Sequence, residues 1–201
     1  MVNNRTIAYY DNAENDYFNQ TINADMTFAY EKFQAHLPEI AEVLDAGCGS
    51  GRDSLHFIKS GYFITAMDAS ELMCERAEEI LEQPVLHMSF DEMDFESCFD
   101  GVWACASLLH VGENELPDVF GRIIKSLKPG GFFYASWKYG DEERTEEQTG
   151  RFFCDMNEER IKNLAAKTND AKIIEMWISS DVRKEMEDKK WMNVIVERKT
   201  V

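Results

Sequence analysis

Three things are scarce or missing in this chain. Positive charge is the first: Lys and Arg number 21 against 38 Asp and Glu, a formal net charge of −17, and the densest cationic stretch, Lys189-Lys190, follows the acids Glu187 and Asp188. Such a surface repels phosphate backbones and anionic lipid, so neither nucleic acid nor a membrane is expected as partner, and a small molecule is. Long apolar runs are the second: none approaches the roughly 18–20 residues that cross a bilayer. Paired cysteines are the third. The five cysteines (48, 74, 98, 105 and 154) form no Cys-x-x-Cys and no metal-ligand spacing with histidine. The sequence shows no signal peptide, so they read as reduced thiols of a cytoplasmic protein without a metal site.

What is present is an ordinary apolar fraction, 44% of 201 residues, enough for one α/β domain with a sizeable core. No internal repeat and no linker divides it. The periodicity predicts a short helix capped by Asp11 and carrying Ala13, Tyr17 and Phe18. A longer helix is expected from Thr21 to His36, ending before Pro38. Strands are expected at 42–46, 62–67, 84–88, 99–105, 132–137, 172–179 and 191–197. Helices are expected at 52–59, 71–82 (with Ser70 as N-cap), 115–127 and 157–167, and a turn at Lys128-Pro129-Gly130-Gly131. Residues 139–150 read as an acidic surface loop. Alternation of strand and helix implies a mainly parallel, doubly wound sheet, and the last two strands, with no helix between them, should pair antiparallel.

The most informative segment is Val43-Leu44-Asp45-Ala46-Gly47-Cys48-Gly49-Ser50-Gly51. A buried strand ends in a glycine turn that opens a helix, a place where a ligand can lie against bare backbone and face helix N–H groups. The spacing is Gly-x-Gly-x-Gly. A dinucleotide fold needs Gly-x-Gly-x-x-Gly, and Arg52 stands where its third glycine would fall. Asp68, 17 residues beyond Gly51, closes the next strand, near the spacing of a ribose-binding carboxylate.

Together these residues resemble the first two motifs of the class I S-adenosylmethionine-dependent methyltransferases. Phe99-Asp100-Gly101-Val102-Trp103 resembles the fourth-strand motif of that family, and Leu127-Lys128-Pro129-Gly130-Gly131-Phe132 its turn before strand 5. Arg52-Asp53-Ser54 resembles the tellurite-resistance-type branch. The resemblance implies a single α/β domain: a doubly wound, mainly parallel seven-stranded sheet of order 3-2-1-4-5-7-6, strand 7 antiparallel, with helices on both faces. It implies an N-terminal helical lid segment at 1–40 ahead of the cofactor-binding domain at 41–201.

The cofactor it implies is S-adenosylmethionine, with S-adenosylhomocysteine as product. Carried over by position, Asp45, Gly47, Cys48 and Gly49 take its amino-acid end, and Asp68 takes the ribose, with Ala69 against the adenine. The family places Asp-Ala after strand 3 to read the adenine edge. Ser89-Phe90 stand there, so Phe90 offers a backbone N–H, Ser89 offers no carboxylate, and Asp91 is the neighbouring acid. Ala104 and Cys105 line the methionine side, and Tyr10 and Tyr17 reach the cofactor from the lid.

Methyl transfer from a sulfonium requires an oriented nucleophile and excluded water, with a base only where the acceptor must lose a proton. No fixed triad is expected. His110, in the loop after strand 4, is the candidate base beside Tyr10, although its position in the family is often structural. Arg52 either binds a substrate anion or pairs with nearby acids. Cys48, at a helix start, is either a reactive thiol or a packing residue. Trp137, Lys138 and Tyr139 border the expected acceptor pocket, with 139–150 as a second lid. The function expected is methyl transfer to a small-molecule acceptor by in-line displacement. The alternatives are a non-catalytic S-adenosylmethionine-binding regulatory module and a dinucleotide-dependent oxidoreductase.

Overall fold

The structure, a computed structural model, describes residues 4–14, 17–183 and 186–200. Seven strands form one sheet: β1 (Glu42–Ala46), β2 (Phe63–Asp68), β3 (Leu86–His87), β4 (Phe99–Ala104), β5 (Leu127–Lys138), β8 (Ala171–Ser180) and β9 (Lys190–Arg198). Their order is β3-β2-β1-β4-β5-β9-β8, and a separate hairpin joins β6 (Glu143–Thr145) to β7 (Phe152–Cys154). The first five strands of the sheet run parallel, and β9 is antiparallel to both β5 and β8. This is the expected order.

Alternation along the strands sorts their side chains to the two faces. Leu44, Val102, Ala104, Phe133, Ala135 and Val194 face α6 (Leu116–Ser126) and α7 (Glu158–Ala166). Val43, Trp103, Tyr134 and Ile195 face the other way, onto α3 (Thr27–Gln34) and α4 (Arg52–Lys59). There Tyr30 and Phe33, which share one face of α3, pack 5.4 and 5.3 Å from the Trp103 ring, and Trp103 stacks on its cross-strand neighbour Tyr134 at 4.0 Å. Each such ring is worth about 1.5–3 kcal/mol on full burial. Helix α5 (Glu71–Leu81) is capped as expected: the Ser70 hydroxyl accepts from the Met73 N–H.

Five sequence expectations change. The N-terminal helix is α1 (Asn4–Tyr10), which ends where Asp11 is expected to begin one, and α2 is Tyr17–Thr21. Part of the expected helix around Asp11 (residues 15 and 16) lies outside the described residues. Asp11 instead reaches across the chain to accept from the Ser70 hydroxyl and the Leu72 N–H, at 2.7 and 3.3 Å. The expected helix 21–36 starts only at Thr27, because the Asp25 carboxylate accepts the Thr27 N–H and so competes with helical bonding. The third strand shrinks to Leu86–His87, since this edge strand pairs with β2 at two positions only. The Lys128–Gly131 turn sits inside β5 as an irregularity. Leu127 pairs with Phe99 and Phe132 with Gly101, so these four residues bulge opposite Asp100, whose carboxylate accepts from Lys128 Nζ at 2.9 Å. Last, residues 139–150 are not merely a loop. They contain β6, held by β7 because Arg144 pairs with Asp155 and Phe153 supplies a buried anchor.

Candidate active site

A cavity of about 520 Å³ opens at the carboxyl ends of the parallel strands, where loops leave an α/β sheet and ligands collect. Its floor is the glycine turn. Gly47 adopts φ +84°, and a Cβ there would stand 2.4 Å from the Ser107 Cβ, so no other residue fits. Gly49, at φ +54°, has open space where its Cβ would be, which leaves bare backbone facing the cavity. Asp68 closes β2 beside it. Its carboxylate accepts the Gly49 and Ser70 N–H groups, each at 2.9 Å, while burial pushes its pKa up against those bonds. Phe90, Ala69, Cys48 and Cys105 complete this end of the wall. Ala106, at φ +52°, follows Cys105 on the same wall and holds its N–H on the Ser136 hydroxyl at 2.9 Å. Such strained backbone costs about 1–3 kcal/mol and concentrates at functional sites.

Asp45 lies behind the turn rather than on the cavity wall. It is buried, accepts from the Ser54 hydroxyl at 2.6 Å, and is pushed up to about 8 by burial and by the neighbouring Asp53 charge. Ala104 is likewise absent from the wall: strand alternation turns it into the α6 core. Ser89 is spent on a reciprocal cap with Glu92, whose carboxylate accepts both the Ser89 N–H and hydroxyl. Cys48 is a packing thiol. Burial, then Asp68 and Asp45, raise its pKa far above normal, the reverse of an activated thiolate.

Arg52 lines the cavity but is engaged. It donates twice to Asp53, at 2.6 and 2.9 Å, and once to the Thr21 carbonyl at 3.1 Å. Asp53 also accepts from the Tyr30 hydroxyl at 2.5 Å and the Trp103 indole at 2.8 Å. Burial would raise this carboxylate, and Arg52 with those donors outweighs it and holds Asp53 below its ordinary range.

The N-terminal segment roofs the cavity with Tyr10 and Tyr17, whose rings meet edge to face at 4.9 Å. Tyr10 meets His110 at 2.9 Å from hydroxyl to Nε2, and His110 Nδ1 lies 2.6 Å from the Phe152 carbonyl. Only Nδ1–H can donate to that carbonyl, so Nε2 is the acceptor and Tyr10 the donor. Burial lowers His110 to about 4, which keeps the ring neutral.

Several wall residues carry no sequence signal: Ser107, Ser136, Arg144, Arg151, Arg183 and Asn193. They come from the β6–β7 hairpin, the β8–β9 turn, the loop after β4 and strand interiors, where no motif marks them. Of the trio expected at the end of β5, Lys138 alone reaches the wall. Trp137 points into the core, and Tyr139 lies outside by the start of α7. His36 and His56 stack on Phe132 and Tyr30, and His87 meets the Ala69 carbonyl, so none faces the cavity. Among the described residues no group of three His, Cys, Asp or Glu side chains is placed to hold a metal, and no helix is long and apolar enough to cross a membrane.

A glycine turn after β1, an acid closing β2 and an antiparallel strand inserted next to β5 define a doubly wound α/β domain with a ligand cavity at the strand ends. Comparison with known proteins agrees. Residues 43–131 match the family described as a methyltransferase domain. The chain is 31% identical over 105 residues to "Putative methyltransferase YqeM" of Bacillus subtilis (strain 168), covering 49% of this chain and 42% of that protein. It is 33% identical over 133 residues to a sterol 24-C-methyltransferase of Debaryomyces hansenii, covering 58% and 35%. The chain thus spans less than half the length of these two relatives.

Among solved structures, it superposes with a TM-score of 0.77 at 22% identity on the 1,6-didemethyltoxoflavin-N1-methyltransferase of Burkholderia thailandensis, covering 96% of this chain and 85% of that one. That crystal structure holds 1,6-didemethyltoxoflavin and S-adenosylhomocysteine. Residues 43–131 thus resemble a methyltransferase domain, and the chain shares the fold of the Burkholderia enzyme over nearly all of its length.

Proposed function

We propose that this chain transfers a methyl group from S-adenosylmethionine to a small-molecule acceptor. The observation that carries this reading is the bare Gly49 backbone beside the buried Asp68 carboxylate on a cavity roofed by two tyrosines. That set fits the cofactor: a carboxylate for vicinal hydroxyls, an uncluttered turn for a charged amino-acid end, and aromatic faces for a sulfonium and a purine. Asp68 would hold the ribose and Gly47, Cys48 and Gly49 the amino-acid end, with Ala69 and Phe90 against the adenine. Cys105, Arg52, Tyr10 and Tyr17 would complete the wall around it. Asp45, lying behind the turn and bonded to Ser54 on α4, would not contact the cofactor directly.

S-adenosylmethionine held by Asp68 and the Gly47–Gly49 turn would supply an electrophilic methyl group for the acceptor's lone pair. The chain's own residues orient the acceptor and keep water out. Within the expected lid segment 1–40, the part ahead of α3 would serve as the lid, with Tyr10 and Tyr17 covering the cavity and Asp11 tying it to α5, while α3 packs on the sheet. Neutral His110, with Nε2 already accepting from Tyr10, orients that hydroxyl rather than removing a proton. The small-molecule assignment rests on the cavity's size and the acidic chain, and the Burkholderia neighbour binds such a molecule in the same fold.

Calorimetry with S-adenosylmethionine and S-adenosylhomocysteine tests the reading. Micromolar binding is expected, with Asp68→Ala weakening it at least tenfold by removing the hydroxyl acceptor. Absence of binding by both ligands sinks it, as does an Asp68→Ala protein that binds like the native one. A fluorescence titration with reduced nicotinamide dinucleotide is expected to give no signal.

A further inference from the structure

We infer that the acceptor half of the cavity is built for an anionic small molecule, a carboxylate or a phosphate ester, with Lys138 as the cation that receives it. The inference rests on the methyltransferase reading, which assigns the β1–β2 side of the cavity to the cofactor and leaves the β5–β9 side for the acceptor. On that second side stand Lys138 at the end of β5, Arg144 and Arg151 from the β6–β7 hairpin, and Arg183 from the β8–β9 turn. In a chain whose acids outnumber its bases 38 to 21, four cations converging on one wall go against composition.

Three of these cations already have carboxylates. Arg144 pairs with Asp155, Arg151 with Glu146 at 2.9 Å, and Arg183 with Asp181 through two bonds, at 2.9 and 2.6 Å. Lys138 differs. Among the described residues its ammonium makes no ion pair and no hydrogen bond, and it rests 3.6 Å above the Phe153 ring. Arg144 and Arg151 approach the same ring at 5.4 and 5.2 Å, so three cations surround one buried phenyl group. A half-buried ammonium with a ring face as its single close partner is poorly compensated. Burial, and then the Arg144 charge, lower it to about 8, against the weaker opposing pull of Glu146 and Asp155. An anion in the cavity would complete its coordination and neutralise the excess charge beside the two arginines.

The test uses matched probes on protein saturated with S-adenosylhomocysteine at pH 7: benzoate, phenyl phosphate and the neutral isostere benzamide, each titrated by calorimetry. Benzoate or phenyl phosphate is expected to bind at least tenfold more tightly than benzamide, and the tighter of the two tells carboxylate from phosphate. Lys138→Met should erase that preference while S-adenosylhomocysteine affinity moves less than twofold. Lys138→Arg should restore it. Equal binding of benzamide, a preference that survives Lys138→Met, or no anion binding in the millimolar range would each overturn the inference. Failure of S-adenosylhomocysteine to bind would count against the cofactor assignment instead. The same three probes titrated into the ligand-free protein then decide the anion preference separately.

Discussion

The Tyr10 hydroxyl donates to His110 Nε2 across 2.9 Å and so joins the N-terminal segment to the loop after β4, one hundred residues away. The Phe152 N–H, bonded to the Thr6 hydroxyl at 3.0 Å, draws β7 into the same junction. Three separate stretches of chain thus meet over the cavity through neutral hydrogen bonds.

This junction makes His110 a poor proton acceptor. With a folded pKa near 4 against 6.5 for the free side chain, the unfolded chain binds the extra proton between those values. The contribution of His110 to stability should therefore rise with pH from about 4 to about 6.5 and level off above, read as the native protein minus a His110→Gln variant. The rate profile should show no limb near pH 6.5 from this ring, and its NMR resonances should stay those of the neutral form down to about pH 5. A His110 titration centred at 6–7 would contradict the geometry. Tyr10→Phe, which leaves Nε2 without its donor, should cost about 1–3 kcal/mol and speed amide exchange in α1.

Asp53→Ala should be among the most damaging changes away from direct ligand contact. It strips the partner from Arg52, whose side chain is largely buried, and leaves the Tyr30 hydroxyl and the Trp103 indole without their acceptor. Breaking a buried ion pair on one side costs about 3–5 kcal/mol. Denaturant unfolding followed by tryptophan fluorescence measures it. A loss below 1 kcal/mol would mean the network is not the anchor its geometry indicates.

Asp45→Asn should behave in the opposite way. Asp45 is held near 8 when folded, against 3.8 for the free carboxyl, so the folded state keeps a proton that the unfolded chain gives up. The contribution of Asp45 to stability should accordingly fall as pH rises from about 4 to about 8, at about 1.4 kcal/mol for each unit of displaced pKa. The amide mimics the protonated acid and still accepts from Ser54. The ligand-free variant should be as stable as the native protein at about pH 4 and progressively more stable up to about pH 8. Thermal melts at the two values check this, and a variant weaker at both would refute it.

Much of the frame is legible in the sequence. Each βα unit carries its own local signature: an apolar run, a glycine or an acid at the carboxyl end, a cap such as Ser70. These act over a few residues, and parallel crossovers leave little topological choice. The same local logic puts Asp68 and the Gly47–Gly49 turn on the cavity. Elsewhere local signals compete. Asp11 has the composition of a helix cap, yet it binds the start of α5, 59 residues away at Ser70, because the N-terminal segment folds back over the sheet. Asp45 and Ala104 carry the right motif positions, but strand alternation and the turn's geometry put them behind the wall.

The strands, the glycine turn and the acid beside it follow from the amino-acid order alone, since they depend on backbone conformation and near neighbours. The pairing of charges does not, and is settled by packing in three dimensions. Whether Arg52 is free, whether His110 is neutral and whether Lys138 lacks a carboxylate all depend on side chains contributed by separate elements. Burial then sets how strongly those charges interact.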